Sequence, residues 1–156
     1  MTRKKAWLLT FLKTRINFSK FLHRTLHWTN KDLAEQNCMG YALNQQDWLD
    51  LGAFYHSDST KEMLEVFEEC CQELCDDFSC RPVPSPASAN KNERIIAFRI
   101  GPTDFHFARL DRGKWTHKPG MFPIKSMSKS ELISDSWVNL SGTVYNSPIR
   151  YFALKK

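Results

Sequence analysis

The stretch that decides the fold is residues 103–117, which read TDFHFARLDRGKWTH. Gly113 lies near the tip of a predicted turn, and Trp115 begins the return strand, so the stretch predicts an antiparallel hairpin. Because side chains alternate across a strand, the first strand has one face with a histidine and one with two phenylalanines. The two faces carry Asp104, His106 and Ala108, and Phe105 and Phe107.

The rest of the chain divides into a helical first half and a β-rich second half. Residues 38–43 read as a short helix, and Ser59 with Glu62 matches a capping box that opens a helix ending near Phe78. Short apolar runs suited to strands follow, at residues 94–100, 143–145 and 150–154. This order predicts one α+β domain over residues 1–156, with N-terminal helices packed on a C-terminal antiparallel β-sheet.

Between the two halves lies a proline-rich segment, residues 81–93. Three of its residues are prolines, and proline breaks both helices and central strands. The segment is therefore predicted to be an exposed and mobile linker loop.

Charge is distributed unevenly along the chain, whose net charge is +5 and whose pI is about 9.0. Between Thr2 and Lys31 there are lysines and arginines but no acidic residue. Residues 1–28 are predicted to be a basic amphipathic helical segment, which packs on the core or binds a protein partner. An anionic membrane is an alternative, whereas nucleic acid is disfavoured because no sequence-specific binding motif occurs. The short apolar run after the first basic residues lacks the cleavage site of a signal peptide.

The five cysteines cannot all pair within one chain, which favours a reducing compartment. We therefore expect the cytoplasm or, for an exported effector, the cytosol of a host cell. Cys70, Cys71 and Cys75 share a helix face and read as core residues. Cys80 reads as a competing exposed thiol. Cys71, Cys75 and Cys80 are closely spaced, but zinc is disfavoured because no histidine is near them and their face is apolar, and no phosphate-loop or dinucleotide motif is present.

Cys38 is the candidate nucleophile, because Asn37 before it reads as the N-cap of a helix. A helix N-terminus favours a thiolate and offers amide donors to an oxyanion. His106 is the candidate general base, and His117, across the hairpin, is the candidate group that orients it. The register of the hairpin is open at this point. Three other polar residues are alternatives for the third position: Asp104, Asp135 and Asn139.

Together these segments resemble the papain-like superfamily, and within it the NlpC-type peptidases, which use a cysteine and two histidines. The resemblance rests on NCMGYAL at 37–43, DFHFAR at 104–109 and GKWTHKPG at 113–120, and it extends to poorly characterised bacterial toxin and effector domains. It implies that Cys38 is the nucleophile, His106 the base and His117 the orienting residue. Oxyanion donors would be the Cys38 amide and the Gln36 side chain.

The function that this implies is a thiol hydrolase that attacks an amide bond and forms a thioester, without a metal or cofactor. A peptide or protein would be the substrate, and proteolysis and glutamine deamidation share the same first step. The alternative from the residues alone is a non-enzymatic binding module, in which the basic N-terminal segment binds a protein, nucleic acid or an anionic membrane.

Overall fold

The structure, a computed structural model, describes residues 36–156, so the predicted helical segment 1–28 lies outside the described residues. The helices of the described part are α1 (Cys38–Leu43), α2 (Gly52–Tyr55), α3 (Met63–Asp76) and α4 (Lys129–Leu132), with a 3-10 turn at Pro86–Ser88. The strands are β1 (Arg81–Val83), β2 (Glu93–Ile100), β3 (Phe105–Asp111), β4 (Lys114–His117), β5 (Lys125–Met127), β6 (Trp137–Val138), β7 (Val144–Tyr145) and β8 (Arg150–Lys155). No helix within this part is both long and apolar enough to cross a membrane.

Six strands form one antiparallel sheet in the order β1-β8-β2-β3-β4-β5, and β6 pairs with β7 in a small second sheet. The predicted α+β class, with helices packed on an antiparallel sheet, is confirmed. The predicted hairpin is confirmed as well, with Asp111 opposite Lys114 and Ala108 opposite His117. Arg112 and Gly113 both have positive φ at its tip, which is the backbone geometry of the tightest hairpin turns.

The prediction of a linker loop over residues 81–93 is wrong at both ends of this range. Arg81–Val83 forms β1 beside β8, and β2 already begins at Glu93. A proline is compatible with β1 because β1 is an edge strand, where a missing N–H can face solvent. Only the 3-10 turn and its neighbours connect the two strands.

The first three helices cover one face of the sheet. α3 places Phe67, Cys70 and Leu74 at helical spacing against Phe98 and Phe107 of the sheet, all fully buried. The predicted capping box at Ser59 is wrong, because α3 begins at Met63 after Glu62 and has no side-chain cap. The helix ends where the sequence predicts, two residues before Phe78.

The other face of the sheet is covered by the segment that runs from β5 to β8. Its core consists of Ala97 and Ala108 from the sheet beneath Met127, Leu132, Trp137 and Tyr145. Alanines on the sheet leave room for these large side chains. This second layer encloses the histidine face of β3.

Arg99 anchors that second layer. Its side chain is only 3% exposed, and it donates to the carbonyl groups of Ser134 and Ser147 at 2.7 Å each and to that of Asp135. These carbonyls lie on both sides of the β6–β7 hairpin. One buried guanidinium therefore fixes both ends of the hairpin.

Candidate active site

The start of α1 is held by a network around Asn37. The Asn37 Oδ1 atom accepts from the Gly40 amide at 2.9 Å and from the Leu49 amide at 3.3 Å, so the predicted N-cap is confirmed. A Cβ atom on Gly40 would lie 2.0 Å from the Asp47 carbonyl oxygen, so only glycine permits the loop to approach α1 here. Cys38 is therefore the first residue of a firmly capped helix.

The Cys38 thiol lies at the junction of α1 and β3. It is 6% exposed, and its Sγ donates to the Phe105 carbonyl oxygen at 3.8 Å, one residue before His106. Cys38 and His106 both line a cavity of about 380 Å³ that reaches around the start of β3. The fold thus brings together two residues that are 68 positions apart in sequence.

His106 and His117 contact each other directly. Their Nε2 and Nδ1 atoms, respectively, are 2.8 Å apart, and the ring planes are at 88°. Tyr145 stacks on the other side of His106, with ring centroids 5.1 Å apart. His117 is therefore placed where it can orient the His106 ring, and His106 Nδ1 is the ring nitrogen that His117 does not contact.

The alternative third residues have other roles. Tyr145 Oη donates to Asp104 Oδ2 at 3.3 Å and accepts from Asn139 Nδ2 at 3.0 Å. Asp104 and Asn139 thus fix Tyr145, which in turn packs on His106. Asp135 is exposed, and its carbonyl accepts from Arg99.

Gln36 is not brought into the cavity. Its Nε2 donates to the Gln45 carbonyl at 2.7 Å, on the loop that follows α1. The role as oxyanion donor expected from the resemblance therefore lacks a structural basis. Helix geometry offers other donors, because the amides of Cys38 and Met39 belong to the first turn and have no acceptor within the helix.

Tyr41 locks α1 to the strands that carry the histidines. Its hydroxyl lies 2.7 Å from Thr116 Oγ1 on β4, and its carbonyl accepts from Arg109 Nη1 on β3 at 2.7 Å. The Arg109 guanidinium also lies 3.9 Å from the centroid of the Tyr41 ring. These contacts fix the position of the thiol relative to both imidazoles.

Both histidines are neutral at pH 7. Burial lowers the pKa of His106 to about 3, and the charge of His117 acts in the same direction. Burial also lowers the pKa of His117, and the Lys125 ammonium adds to the effect. The His106 tautomer that donates its Nε2 proton to His117 Nδ1 has no proton on Nδ1, which is the form that a general base requires.

Tyr145 lines both cavities, and Lys118 is the buried residue next to His117; the sequence reasoning gave neither a role. Lys118 is 1% exposed and donates to the Gly120 carbonyl. Burial lowers its pKa to about 8, and negative charge at Cys38 opposes this shift, so its ammonium acts on the thiol electrostatically. The only signal was its position next to His117, in a stretch that reads equally well as a turn.

Cys80 is not the exposed thiol that the sequence predicts. It is 3% exposed, and burial raises its pKa to about 12, as it does for Cys70 and Cys71. Cys75 is the only partly exposed cysteine among the described residues. Within the same part of the chain, no group of three or more His, Cys, Asp and Glu side chains is arranged to hold a metal ion.

The buried histidines predict a loss of stability in mild acid. The folded state resists protonation of His106 and His117, whereas an unfolded histidine binds a proton near pH 6.5, so the unfolded chain binds more protons below that pH. The free energy of unfolding should fall from pH 6.5 to pH 5, with a slope approaching about 1.4 kcal/mol per pH unit from His106 and a further contribution of the same sign from His117. Urea denaturation at several pH values measures this slope.

His56, which is exposed, provides the matched control. His56→Gln should keep the slope of the parent protein, and His106→Gln should reduce it. A free energy of unfolding that stays constant from pH 7.5 to pH 5 would contradict the burial of neutral imidazoles.

Comparison of the chain with models of known protein families, with curated proteins and with solved structures finds no match. The resemblance to NlpC-type peptidases therefore stays a prediction from the residues.

Proposed function

We propose that this protein is a thiol hydrolase that cleaves an amide bond through a Cys38 thioester. The observation that carries the proposal is the shared cavity, which is lined both by the thiol at the start of α1 and by an imidazole in contact with a second histidine. A nucleophile, a base and a group that orients the base are the elements of covalent acyl transfer.

In the proposed reaction, the Cys38 thiol transfers its proton to His106 Nδ1 as the sulfur attacks the amide carbon. The amides of the first turn of α1 stabilise the oxyanion. Protonated His106 then gives the proton to the leaving nitrogen, an amine departs, and water hydrolyses the thioester. His117 holds the ring through Nε2 during both transfers.

Because His106 is neutral before substrate binds, Lys118 has a separate role in this proposal. Because burial disfavours a charged His106, a stable thiolate–imidazolium pair is disfavoured before substrate arrives. The Lys118 ammonium supplies positive charge close to Cys38 and offsets part of the cost of forming the thiolate. We infer that proton transfer and attack on the substrate occur together.

Site-resolved alkylation tests the proposal. The Cys75→Ser variant removes the partly exposed thiol, and iodoacetamide at pH 7 is then followed by peptide mass spectrometry. Cys38 should react at least about 100-fold faster than Cys70 or Cys80, because His106 can accept the Cys38 proton during the reaction, whereas burial raises the pKa of the other two thiols to about 12. Labelling of Cys38 should slow in His106→Gln.

The same preparation should release amines from a peptide mixture, and Cys38→Ala should release none while retaining its circular dichroism spectrum. A Cys38 thiol as inert as Cys70, together with no amine release by the parent protein, would refute the proposed function.

A further inference from the structure

Two cavities meet at His106, and only one of them contains Cys38. The second cavity, of about 360 Å³, is lined by His117, Lys125, Glu131, Ser136 and Trp137. The residues common to both cavities are His106, Pro119, Asn139, Leu140 and Tyr145. A substrate held at the thiol can therefore extend past the imidazole into a second space.

The position of the second cavity determines which half of a substrate it can take. The acyl half stays bound to Cys38 sulfur after attack, whereas the leaving nitrogen must receive its proton from His106. Because the two cavities adjoin at His106 and share four further lining residues, a substituent on the leaving nitrogen can extend from the thiol cavity into the second one. A primary carboxamide would leave this space empty, because its leaving group is ammonia.

The walls of the second cavity carry one cation that has no ion-pair partner in the described part of the chain. The ion pairs there are Lys61–Glu69, Arg81–Glu93, Arg109–Asp111 and Arg150–Glu68, and Lys125 takes part in none of them. Glu131 lines the same cavity, but its Oε2 accepts from the Ser128 amide at 2.6 Å in a capping box. The Lys125 ammonium is therefore the cation available to a ligand, and the Glu131 carboxylate, held towards the start of α4 by the capping box, is the opposing charge in the cavity.

We propose that this second cavity binds the amine half of the substrate, with Lys125 contacting a carboxylate on it. The inference rests on the proposed function and specifies its substrate class: N-substituted amides such as peptide bonds, and not glutamine side chains. The carboxylate comes either from an acidic side chain just after the cleaved bond or from a free C-terminus.

The reaction balances without a further reactant except water. Cys38 sulfur forms a bond to the acyl carbon as the carbon–nitrogen bond breaks, and the thiol proton leaves with the amine. Water then adds to the thioester, which gives the acid and restores the thiol.

A tryptic peptide library prepared from a bacterial proteome tests the inference, because one mass spectrometric run reads both new amino termini and deamidated glutamines. The parent protein should produce new amino termini, with Asp or Glu after the cleaved bond or with a single C-terminal residue released. These two patterns distinguish the two sources of the carboxylate.

Two variants address the cavity itself. Ser136→Trp, which fills the cavity, should lower the yield of new termini at least about tenfold, a loss of about 1.4 kcal/mol in transition-state binding. Lys125→Glu should shift the residue after the cleaved bond from acidic to basic. Lys129→Glu is the matched control, because Lys129 does not line this cavity, and it should leave the products unchanged. All three variants should keep the Cys38 alkylation rate of the parent protein.

Deamidated glutamines without new amino termini would overturn this inference and leave the proposed thiol hydrolase standing. If Lys125→Glu leaves the residue preference after the cleaved bond unchanged, Lys125 does not contact a carboxylate of the substrate. An unreactive Cys38 with no product of either kind would instead refute the proposed function itself, and the inference with it.

Discussion

Replacing His106 with glutamine is expected to lower kcat/KM for peptide hydrolysis by about 10³-fold or more, because proton transfer by a general acid–base contributes about 10² to 10⁴. Glutamine is similar in size to histidine, but it cannot accept the thiol proton and later return it to the leaving nitrogen. The rate of amine release from the peptide library described above measures the effect.

The proposed function requires both the thiol and the imidazole, so the double variant Cys38→Ala/His106→Gln should be as inactive as Cys38→Ala alone. His117→Gln should cost less than His106→Gln, since its nitrogen positions the ring and exchanges no proton with substrate. The exposed His56→Gln variant is the control and should retain full activity. Substantial hydrolysis by His106→Gln would show that another group is the base.

Replacing Arg99 with methionine is expected to lower the free energy of unfolding by about 3 to 5 kcal/mol. The change removes three hydrogen bonds from a buried cation and leaves the carbonyls of Ser134, Asp135 and Ser147 without their donor. Each such loss typically costs about 1 to 3 kcal/mol, partly offset because a buried charge no longer has to be desolvated. Urea denaturation with circular dichroism measures the difference.

Arg150→Met is the matched control, because the guanidinium of Arg150 pairs with Glu68 at the surface. An exposed pair of this kind contributes at most about 1 kcal/mol. If the two variants lost equal stability, Arg99 would not anchor the β6–β7 hairpin. The Arg99 variant should also lose hydrolysis, since this hairpin supplies Asn139 and Tyr145 to both cavities.

Most of the fold follows from local patterns in the sequence. The hairpin around Gly113 was predictable because glycine, alternation and strand-forming residues coincide within 15 residues. The cap of α1 by Asn37 was predictable for a similar reason. The pairing of Arg81–Val83 was not predictable, because it depends on β8, which lies about 70 residues later. From the local sequence alone, the prolines indicated a loop.

The sequence predicted the cysteine and the two histidines of the candidate site, but it did not predict the residues that surround them. Cys38, His106 and His117 stand out as residue types at informative positions, and the structure brings Cys38 to the cavity of His106 and His106 to within hydrogen-bonding distance of His117. Tyr145 and Lys118 carry no such signal, because their positions depend on how the folded chain buries them. The prediction that Asp104 and His106 lie on one face was correct, yet Asp104 accepts a hydrogen bond from Tyr145 and not from the imidazole.

The position of β8 between β1 and β2 has a consequence for biosynthesis. On the ribosome, β1 and β2 are both translated more than 45 residues before β8 exists, so neither can complete its backbone pairing until residues 150–155 have left the exit tunnel. The β3–β4 hairpin needs no such delay. In a nascent chain, the β3–β4 hairpin that carries both histidines can therefore form well before the sheet beneath α3 closes.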